Sequence, residues 1–211
     1  MNASSTPSTP GARASDTRAR LIGTAQALLQ THGFAAFSYQ HLADELGIRK
    51  ASIHYHFASK DDLGVAVLAA FRASFDEWVR LHLGQDPHAR MLAYLRIYTR
   101  FARDHGKACP VAMVSSDFFD LPETVREQAR LLAQAHLLWL AATLEEGRQA
   151  GVFAFPGEAR RQAEVIGCAA QGAVLSARMW GDQRMDDILR QLLAQLAPPP
   201  PARPVNIQIM D

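Results

Sequence analysis

RKASIHYHFASKDDL, at residues 49–63, places two basic side chains and a cluster of rings within one short segment. Such a segment can be core packing, a metal site or a surface that contacts another molecule. His54 and His56 lie two residues apart and would point about 200° apart on a helix, and no further cysteine or carboxylate converges on them. We expect no metal and no cofactor here, and we expect Phe57 to lie in the core.

Two short helices joined by a tight turn are predicted around this segment. Residues 39–46 and 49–56 each follow the helical apolar period, and Gly47 between them suits a left-handed helix exit. These proportions are typical of a helix-turn-helix, whose second helix enters the major groove of DNA. Residues 49–56 are therefore the predicted recognition helix.

The side chains of this recognition helix divide into two faces. Lys50, Ala51 and His54 share one face by their three- and four-residue spacing, whereas Ile53 shares the inward face with Phe57. Lysine and histidine can donate to base edges, and the neighbouring hydroxyl and basic side chains suit phosphate oxygens. The predicted DNA-binding residues are Ser38, Tyr39, Gln40, Arg49, Lys50, Ala51, Ser52, His54, Tyr55, His56 and Lys60.

The rest of the chain predicts further helices and no convincing core strand. Capping signals and apolar periodicity indicate a first helix from Asp16 or Thr17 to His32, a fourth from Ser59, and later helices over residues 87–104, 109–119, 123–149, 158–179 and 185–197. We predict an all-α protein of about nine helices. Its predicted parts are a disordered tail (1–15), a helix-turn-helix DNA-binding domain (16–62), a regulatory and dimerisation domain (63–197) and a proline-rich tail (198–211).

Composition narrows the class of protein. The 211 residues are 48% hydrophobic and 20% charged, with a net charge of +1, which argues against a protein that compacts DNA without sequence preference. No apolar run reaches the roughly 20 residues of a membrane helix, and the N-terminus lacks the apolar stretch of a secretion signal. We therefore expect no membrane partner and a cytoplasmic location, where the two cysteines stay reduced.

GIRKASIHYHFASKDDL, at residues 47–63, resembles the signature of TetR-family transcriptional regulators, and RLIGTAQALLQTHGFAAFSYQHLADELG, at residues 20–47, is similar to the family's first two helices. The resemblance implies a homodimer with two heads for double-stranded operator DNA, a sensing body, and repression relieved by an inducer. His54 departs from the pattern, because the family most often has tyrosine there. Operator preference is therefore not carried over.

The segment HGKACPVAMVSSDFFDLPETVRE, at residues 105–127, contains a candidate sensor. Cys109 lies at the predicted start of the sixth helix, where unpaired amides lower a thiol pKa, and His105 and Lys107 could lower it further. A thiolate reacts with electrophiles or is oxidised. The alternative interpretation is a small buried residue at a turn, and the chemistry alone does not separate the two.

A second resemblance concerns the C-terminal half. MLAYLRIYTRFARDHGKAC (91–109), DLPETVR (120–126) and QGAVLSARM (171–179) look like the branch of TetR regulators that responds to electrophiles and bleach. This resemblance implies a sensor at Cys109 and matches Arg178 to the branch's basic partner, a lysine. Arginine does not readily lose its proton or react with an oxidised cysteine. Charge support of a thiolate is the role that remains for Arg178.

Two further sets of residues are predicted in the body. A cavity for a non-covalent inducer, the alternative to covalent sensing, would be lined by Phe101, His105, Met113, Phe118, Phe119, His136, Trp139 and Trp180, although each alone could be ordinary core. Closely spaced small residues in EVIGCAAQGAVLSA (164–177) permit tight helix contact. The predicted dimer interface is Cys168, Ala169, Gly172, Ala173, Leu189, Leu192 and Leu193.

Enzymatic activity is the competing class of function. Cys109 with His105 or His136 could form a thiol enzyme, but the sequence contains no nucleophile elbow, phosphate loop or local signature of a cysteine protease. We therefore predict that the chain is not an enzyme. Turnover of an electrophile, as opposed to stoichiometric modification, would distinguish the two.

Overall fold

Nine α-helices and one short 3-10 turn form the part of the chain that the computed structural model describes, residues 10–35 and 38–198, and no strand occurs there. The helices are α1 (Pro10–His32), α2 (Tyr39–Leu46), α3 (Lys50–His56), α4 (Lys60–His82), α5 (Pro87–Arg103), α6 (Pro110–Ser116), α7 (Glu123–Gln149), α8 (Ala159–Trp180) and α9 (Asp182–Ala194). The turn spans Phe118–Asp120. The all-α prediction is confirmed.

Helix ends with strong capping residues lie where the sequence predicts them. The hydroxyl of Ser59 accepts a hydrogen bond from the backbone N–H of Asp62, whose carboxylate accepts one from the N–H of Ser59 in return. This capping box starts α4. Asp86 caps α5 in the same way by accepting from the N–H of Ala89 at 3.0 Å, with Pro87 in the first helical position.

Three predicted boundaries were wrong. α1 begins at Pro10, where proline suits a first helical turn, instead of at Asp16 or Thr17. α6 ends at Ser116, so residues 117–119 leave the predicted helix. α9 begins at Asp182, directly after Gly181 ends α8 with a φ of 84°. Residues 1–9 and 199–211, which hold most of the two predicted tails, lie outside the described residues.

The first three helices and the start of α4 form a compact head. α1 packs against α2 and α4, and α2 packs against α3. The buried side chains that join these helices include Leu21, Leu42, Ile53 and Leu63, each with 0% exposure. Because one continuous apolar cluster fixes all four helices, the orientation of α3 depends on that of α1 and α4.

The remaining helices form a larger body. α7 packs against α4, α5 and α8, and α8 packs against α9. α4 runs without interruption from the head into this body. No helix of the described segments is long and apolar enough to cross a lipid bilayer.

A network of hydrogen bonds to backbone carbonyls joins the head to the body. Gln30, near the end of α1, donates from its amide to the carbonyl of Ala108 (3.1 Å), and the Ala108 N–H donates back to the Gln30 carbonyl (2.9 Å). Arg178 on α8 donates to the same Gln30 carbonyl (2.7 Å) and to the Gly106 carbonyl (3.0 Å). We call Gln30, Gly106, Ala108 and Arg178 the junction.

A second contact lies at the other end of α6. The carboxylate of Asp117 accepts a hydrogen bond from the backbone N–H of Phe34 at 3.1 Å. Gly33, directly before Phe34, has a φ of 89°. A Cβ added to Gly33 would lie 3.0 Å from a carboxylate oxygen of Asp117. Only glycine fits this turn comfortably. α6 is therefore tied to the head at both of its ends.

Candidate functional site

The turn between α2 and α3 is held by backbone geometry. Gly47 adopts a left-handed conformation (φ 63°, ψ 35°), and the N–H of Ile48 donates to the Ala43 carbonyl at 3.0 Å. This is the Schellman pattern that ends a helix and redirects the chain. At the other end of α2, the hydroxyl of Ser38 accepts from the N–H of His41. The geometry matches a helix-turn-helix.

α3 is fixed from within and open outward. Ile53 and Phe57 are buried, with 0% and 4% exposure, and the N–H of Phe57 closes the helix on the Ile53 carbonyl. The opposite side is exposed at Arg49, Lys50, Ala51, His54 and Tyr55, while Ser52 and His56 are half-buried at its edges. The Tyr55 ring is 79% exposed, far beyond what a packing role requires. We call this exposed side the α3 face.

Tyr39 braces this face from α2. Its hydroxyl donates to the Phe57 carbonyl at 2.9 Å, and its ring meets the edge of the His54 ring at 4.8 Å between centroids. Burial, followed by the nearby carboxylates of Asp62 and Asp61, raises the pKa of Tyr39 to about 12. The donor of Tyr39 is thus already used within the head. This bracing role has no signature in the sequence.

Gln40 and Lys60 complete the predicted set at its margins. Gln40 is exposed and donates to Asp44 at 2.7 Å. The Lys60 ammonium lies 4.6 Å above the centre of the Phe34 ring and 3.5 Å from the Ala35 carbonyl. Burial lowers the pKa of Lys60, partly offset by Asp61 and Asp117. Its ammonium therefore lies against Phe34 and Ala35, directly after α1.

The body contains a cavity of about 360 Å³ between α1, α4, α5, α6 and α7. Of the eight residues predicted to line a cavity, Phe101 and His136 do so. The sequence analysis missed most of the wall, because a cavity depends on how helices pack and leaves no local pattern. The full lining is Gln26, Phe71, Ser74, Phe75, Trp78, Tyr94, Ile97, Tyr98, Arg100, Phe101, Cys109, Pro110, Leu132 and His136.

The other six predicted lining residues lie elsewhere, and those predictions were wrong. Trp139 packs behind the wall against the rings of Phe75 and Trp78. Met113 is buried beside Gly33. The remaining four are on the surface or near it: Phe118 lies under the guanidinium of Arg130, Phe119 is 92% exposed, Trp180 is 61% exposed, and His105 is exposed in the turn after α5.

A buried chain of polar groups forms the inner wall of the cavity. The hydroxyl oxygens of Tyr94 and Tyr98 are 2.9 Å apart, and the Tyr94 oxygen lies 3.5 Å from Nδ1 of His136. The hydroxyl of Tyr98 also acts on the thiol of Cys109, whose pKa it lowers. Burial raises the pKa of both tyrosines and lowers the pKa of His136 to about 4. All four groups are therefore uncharged near pH 7.

The free energy of unfolding should depend on pH through His136. Its pKa is depressed in the folded state, so its stabilising contribution is present above about pH 6.5 and declines toward pH 4. Between pH 7 and pH 5 we expect a loss of about 2 kcal/mol that His136→Gln does not show. Urea unfolding at the two pH values measures it. His88→Gln, at an exposed histidine of α5, should keep the loss.

Cys109 fits the second of the two interpretations of the sequence, a small buried residue at a turn. It is the N-cap of α6, but it is only 2% exposed, and burial raises the pKa of its thiol. The backbone N–H groups of Ala112 and Val111 and the hydroxyl of Tyr98 offset this only in part. Desolvation therefore outweighs the helix N-terminus, and the prediction of a lowered pKa was wrong.

The predicted charged partners of Cys109 are engaged elsewhere. The guanidinium of Arg178 binds the backbone carbonyls of the junction, and it is not among the groups that shift the Cys109 pKa. The ammonium of Lys107 lies 2.6 Å from a carboxylate oxygen of Asp104. His105 is exposed in the turn after α5. The role of Arg178 in the fold is to join α8 to the end of α1.

Cys168 is exposed on α8 and also reaches a smaller cavity of about 260 Å³. The smaller cavity shares Tyr94, Cys109 and His136 with the larger one, so these three residues form a partition between the two. The thiol of Cys109 therefore borders both spaces.

Some of the predicted dimer-interface residues are buried within the chain, and others are exposed. Ala173, Leu189 and Leu192 are buried within the chain, with 1%, 5% and 9% exposure, so these three predictions were wrong. Their faces of α8 and α9 are used to pack the two helices on each other and on α5. Ala169 and Leu193 are half-buried, whereas Cys168 and Gly172 are exposed.

An exposed apolar stripe runs along α8. It consists of Val165, Cys168, Gly172, Leu175 and Met179, whose spacing of three and four residues places them on one side of the helix. Val165 and Met179 are 57% and 75% exposed, which is unusual for a row of such side chains. We call these five residues the α8 stripe.

Metal binding is not indicated by the structure of residues 10–35 and 38–198, where no group of three or more histidine, cysteine or carboxylate side chains could hold a metal ion. The rings of His54 and His56 instead contact Tyr39 and Tyr55.

Comparison with known proteins agrees with this geometry. The family model described as bacterial regulatory proteins, tetR family, matches residues 21–67, which span the second half of α1, all of α2 and α3, and the start of α4. The HTH-type transcriptional repressor NemR of Escherichia coli K12 is 29% identical over 169 residues, covering 78% of this chain and 85% of the relative.

Solved structures extend the likeness to the whole body. A TetR-family transcriptional regulator from Agrobacterium tumefaciens is 30% identical, with a TM-score of 0.83 over 88% of this chain and 100% of that one. E. coli NemR in its reduced form is 27% identical, with a TM-score of 0.76 over 87% of this chain and 98% of that one. A regulator from Legionella pneumophila is 28% identical, with a TM-score of 0.78 over 92% of this chain and 98% of that one.

Proposed function

We propose that this chain, which belongs to the TetR family of transcriptional regulators, is a homodimeric repressor that leaves its operator when a small molecule occupies the cavity of its body. Its relatives are DNA-binding regulators, not enzymes, and the chain is a transcriptional repressor of the same kind. The observation that carries the operator-binding part is α3, anchored by Ile53 and Phe57 while its other side is exposed.

The α3 face suits duplex DNA by size and by chemistry. A single helix fits the major groove, and Ala51 on this face leaves room for close approach. Lys50 and His54 donate to base edges, while Arg49, Ser52, Tyr55 and His56 reach phosphate oxygens around them. Ser38, Gln40 and Lys60 lie at the margin, where they meet the backbone of the same groove. Tyr39 acts by holding His54 and the end of α3 in place.

The proposed division into a DNA-binding domain (16–62) and a regulatory domain (63–197) falls at the start of α4. Because α4 continues through both parts, the boundary is a change of role along one rigid helix. Phe71, Phe75 and Trp78 on α4 line the cavity, and the same helix begins at Lys60, shortly after α3 ends at His56. A ligand that moves the middle of α4 therefore also moves the head.

The second copy docks through the α8 stripe. Its apolar side chains are exposed in a single chain and need a partner surface, and Gly172 lets two α8 helices approach closely. A two-fold axis through this stripe makes the contact self-complementary, with the same residues on both sides. Two heads then face two half-sites about 34 Å apart, one turn of B-DNA.

Release follows from coupling between the cavity and the junction. Cys109 and Pro110 line the cavity at the start of α6, and the adjacent Ala108 exchanges two hydrogen bonds with Gln30 of α1. A ligand that displaces the start of α6 strains these bonds and shifts α1 with its head. In the inducer-bound state, the two α3 helices need only be held at a separation that differs from the spacing of the two half-sites.

Selection from random duplexes tests the operator-binding part. We expect the protein to enrich a two-fold symmetric sequence and to bind it at least a thousandfold more tightly than unrelated DNA at the same salt concentration. Fluorescence anisotropy with the selected duplex and a scrambled duplex measures the ratio. Equal binding of both would contradict a specific operator.

A covalent inducer is the second candidate, favoured by the position of Cys109 in the wall of both cavities. Its thiol would add to an activated C=C bond, forming an S–C bond while the thiol proton passes to the neighbouring carbon. Burial raises the thiol pKa, so this reaction needs the reagent to enter the cavity first. The Tyr98 hydroxyl, which lowers the pKa of this thiol, favours the developing thiolate.

Cys109→Ser should keep operator affinity within about twofold and abolish release by an electrophile such as N-ethylmaleimide, because serine is a poor nucleophile without an activating base. Anisotropy of the selected duplex, with intact-protein mass spectrometry, measures release and adduct together. Cys168→Ser, at the thiol that is exposed in the single chain and belongs to the α8 stripe, serves as the matched control and should release like the wild type. Equal release by Cys109→Ser would assign induction to a non-covalent ligand.

A further inference from the structure

The larger cavity has a lining with two distinct parts. Seven of its 14 lining residues carry aromatic rings, counting His136. The innermost side chains are almost fully buried, with Tyr94, Tyr98 and Leu132 at 2% exposure or less. Ser74 and Arg100, by contrast, are exposed, and they mark the opening of the cavity. A ligand therefore enters the cavity past Arg100, and its inner end lies among the aromatic side chains.

The charge of the lining belongs to one residue. His136 is uncharged near pH 7, because burial lowers its pKa to about 4, and no aspartate or glutamate is among the described residues that line the cavity. The guanidinium of Arg100 supplies the formal charge in the described lining of the cavity. Among the described residues it has no ion-pair partner. Its neighbour one turn later, Arg103, is by contrast paired with Asp186 at 2.9 Å. A cation at the mouth of an apolar cavity favours an anionic ligand.

The volume limits the size of the ligand. A protein cavity of roughly 150 Å³ accommodates one benzene ring, so the cavity of about 360 Å³ has room for a two-ring system and a substituent. Phe75 and Trp78 stand with ring planes within 10° of each other, and the Tyr98 and Phe101 rings meet at 77°. Flat rings make offset-stacked or edge contacts with such walls that a saturated body of the same size does not.

We propose that the inducer is an aromatic carboxylate of about two rings, with its ring system among Phe75, Trp78 and Phe101 and its carboxylate on the guanidinium of Arg100. This inference rests on the proposed function, because the cavity is the site assigned there to the inducer. The carboxylate would remain near solvent, so the pair with Arg100 adds selectivity for an anion without a large desolvation cost. A ligand charged at its buried end is excluded by the uncharged inner wall.

Isothermal titration calorimetry of the dimer with three probes tests the ligand class. The probes are 2-naphthoate, its neutral amide 2-naphthamide, and decahydro-2-naphthoate, which keeps the charge and approximate size but has no aromatic ring. We expect 2-naphthoate to bind at least fivefold more tightly than either of the others. Equal affinities for the acid and the amide, or no binding of any probe, would overturn the proposal.

Arg100→Gln should weaken 2-naphthoate about five- to tenfold, because a partly exposed charged hydrogen bond is worth roughly that factor, and should leave 2-naphthamide unchanged. Arg96→Gln is the matched control, since Arg96 is exposed one turn earlier on α5 and lines the groove toward α9 instead of the cavity. Equal losses in the two variants would remove the role assigned to Arg100.

A parallel anisotropy titration of the selected duplex separates this inference from the proposed function. Probe binding with the expected selectivity but without DNA release would overturn the inducer role and leave the ligand class standing. Release by 2-naphthamide as readily as by 2-naphthoate would overturn the ligand class and leave the repressor standing. Release by 2-naphthoate alone, lost in Arg100→Gln and kept in Arg96→Gln, supports both.

Discussion

Lys50→Ala is expected to lower the affinity for the selected operator by at least about thirtyfold. A side chain that reads a base edge in the major groove contributes about 1–3 kcal/mol, and a dimer loses two such contacts. Lys50 is exposed at the start of α3, so the substitution leaves no cavity and no unpaired buried group. Anisotropy at fixed salt concentration measures the loss, with unchanged thermal unfolding as evidence that the fold is intact.

Tyr55→Ala should weaken binding with a different signature. Its proposed partner is a phosphate oxygen, so the loss should be similar for operator and scrambled DNA, whereas Lys50→Ala should reduce their ratio. Tyr55 is 79% exposed, and the head does not depend on it. Arg80→Ala, at an exposed cation near the end of α4, is the control and should bind as the wild type. Full affinity in both α3 variants would contradict the assignment of this face.

Gly172→Arg is expected to convert the dimer into a monomer and to lower operator affinity by at least a hundredfold. A Cβ at Gly172 meets nothing within 4 Å in the single chain, and arginine is a better helix former than glycine by about 1 kcal/mol, so the fold tolerates it. Across the α8 stripe, however, two guanidinium groups would face each other at a close contact. A monomer then binds the operator through one head. It loses the increase in affinity, on the order of 10²–10⁴-fold, that comes from binding two linked half-sites.

Sedimentation velocity measures the mass of this variant directly. Gly23→Arg is the matched control, because Gly23 is also an exposed helical glycine with nothing within 4 Å of an added Cβ, but it lies on α1 in the head. It should remain a dimer. A dimeric Gly172→Arg at micromolar concentration would place the interface elsewhere than on the α8 stripe.

The head could be predicted closely because its signals are local. The residues that begin or end its helices act within one helical turn, so their effect can be predicted from adjacent positions in the sequence. They are Ser38, Gly47, Ser59 and Asp62. The period of Ile53 and Phe57 then assigns α3 its inward side. The bracing contact of Tyr39 could not be predicted, because its partner, the carbonyl of Phe57, is 18 residues away and has no local sequence signal.

The body resisted prediction because its features are set by packing between distant segments. Cys109 has the local environment of a reactive thiol, but the rings of α5 and α7 bury it and reverse the direction of its pKa shift. Ala173 and Leu192 were assigned to the wrong side of their helices, since α8 and α9 could each have turned either of two apolar sides inward. Only the packed structure separates the α8 stripe from the core.

Chemical protection of guanine N7 by the bound protein tests the central claim most directly, because this atom lies only in the major groove. With dimethyl sulfate on the selected duplex, we predict protection of guanine N7 at two symmetric positions about one helical turn apart, with adenine N3 in the minor groove still reactive beside them. Lys50→Ala should restore reactivity at the protected guanines. Protection confined to adenine N3, or an unprotected major groove under saturating protein, would contradict entry of α3 into the DNA.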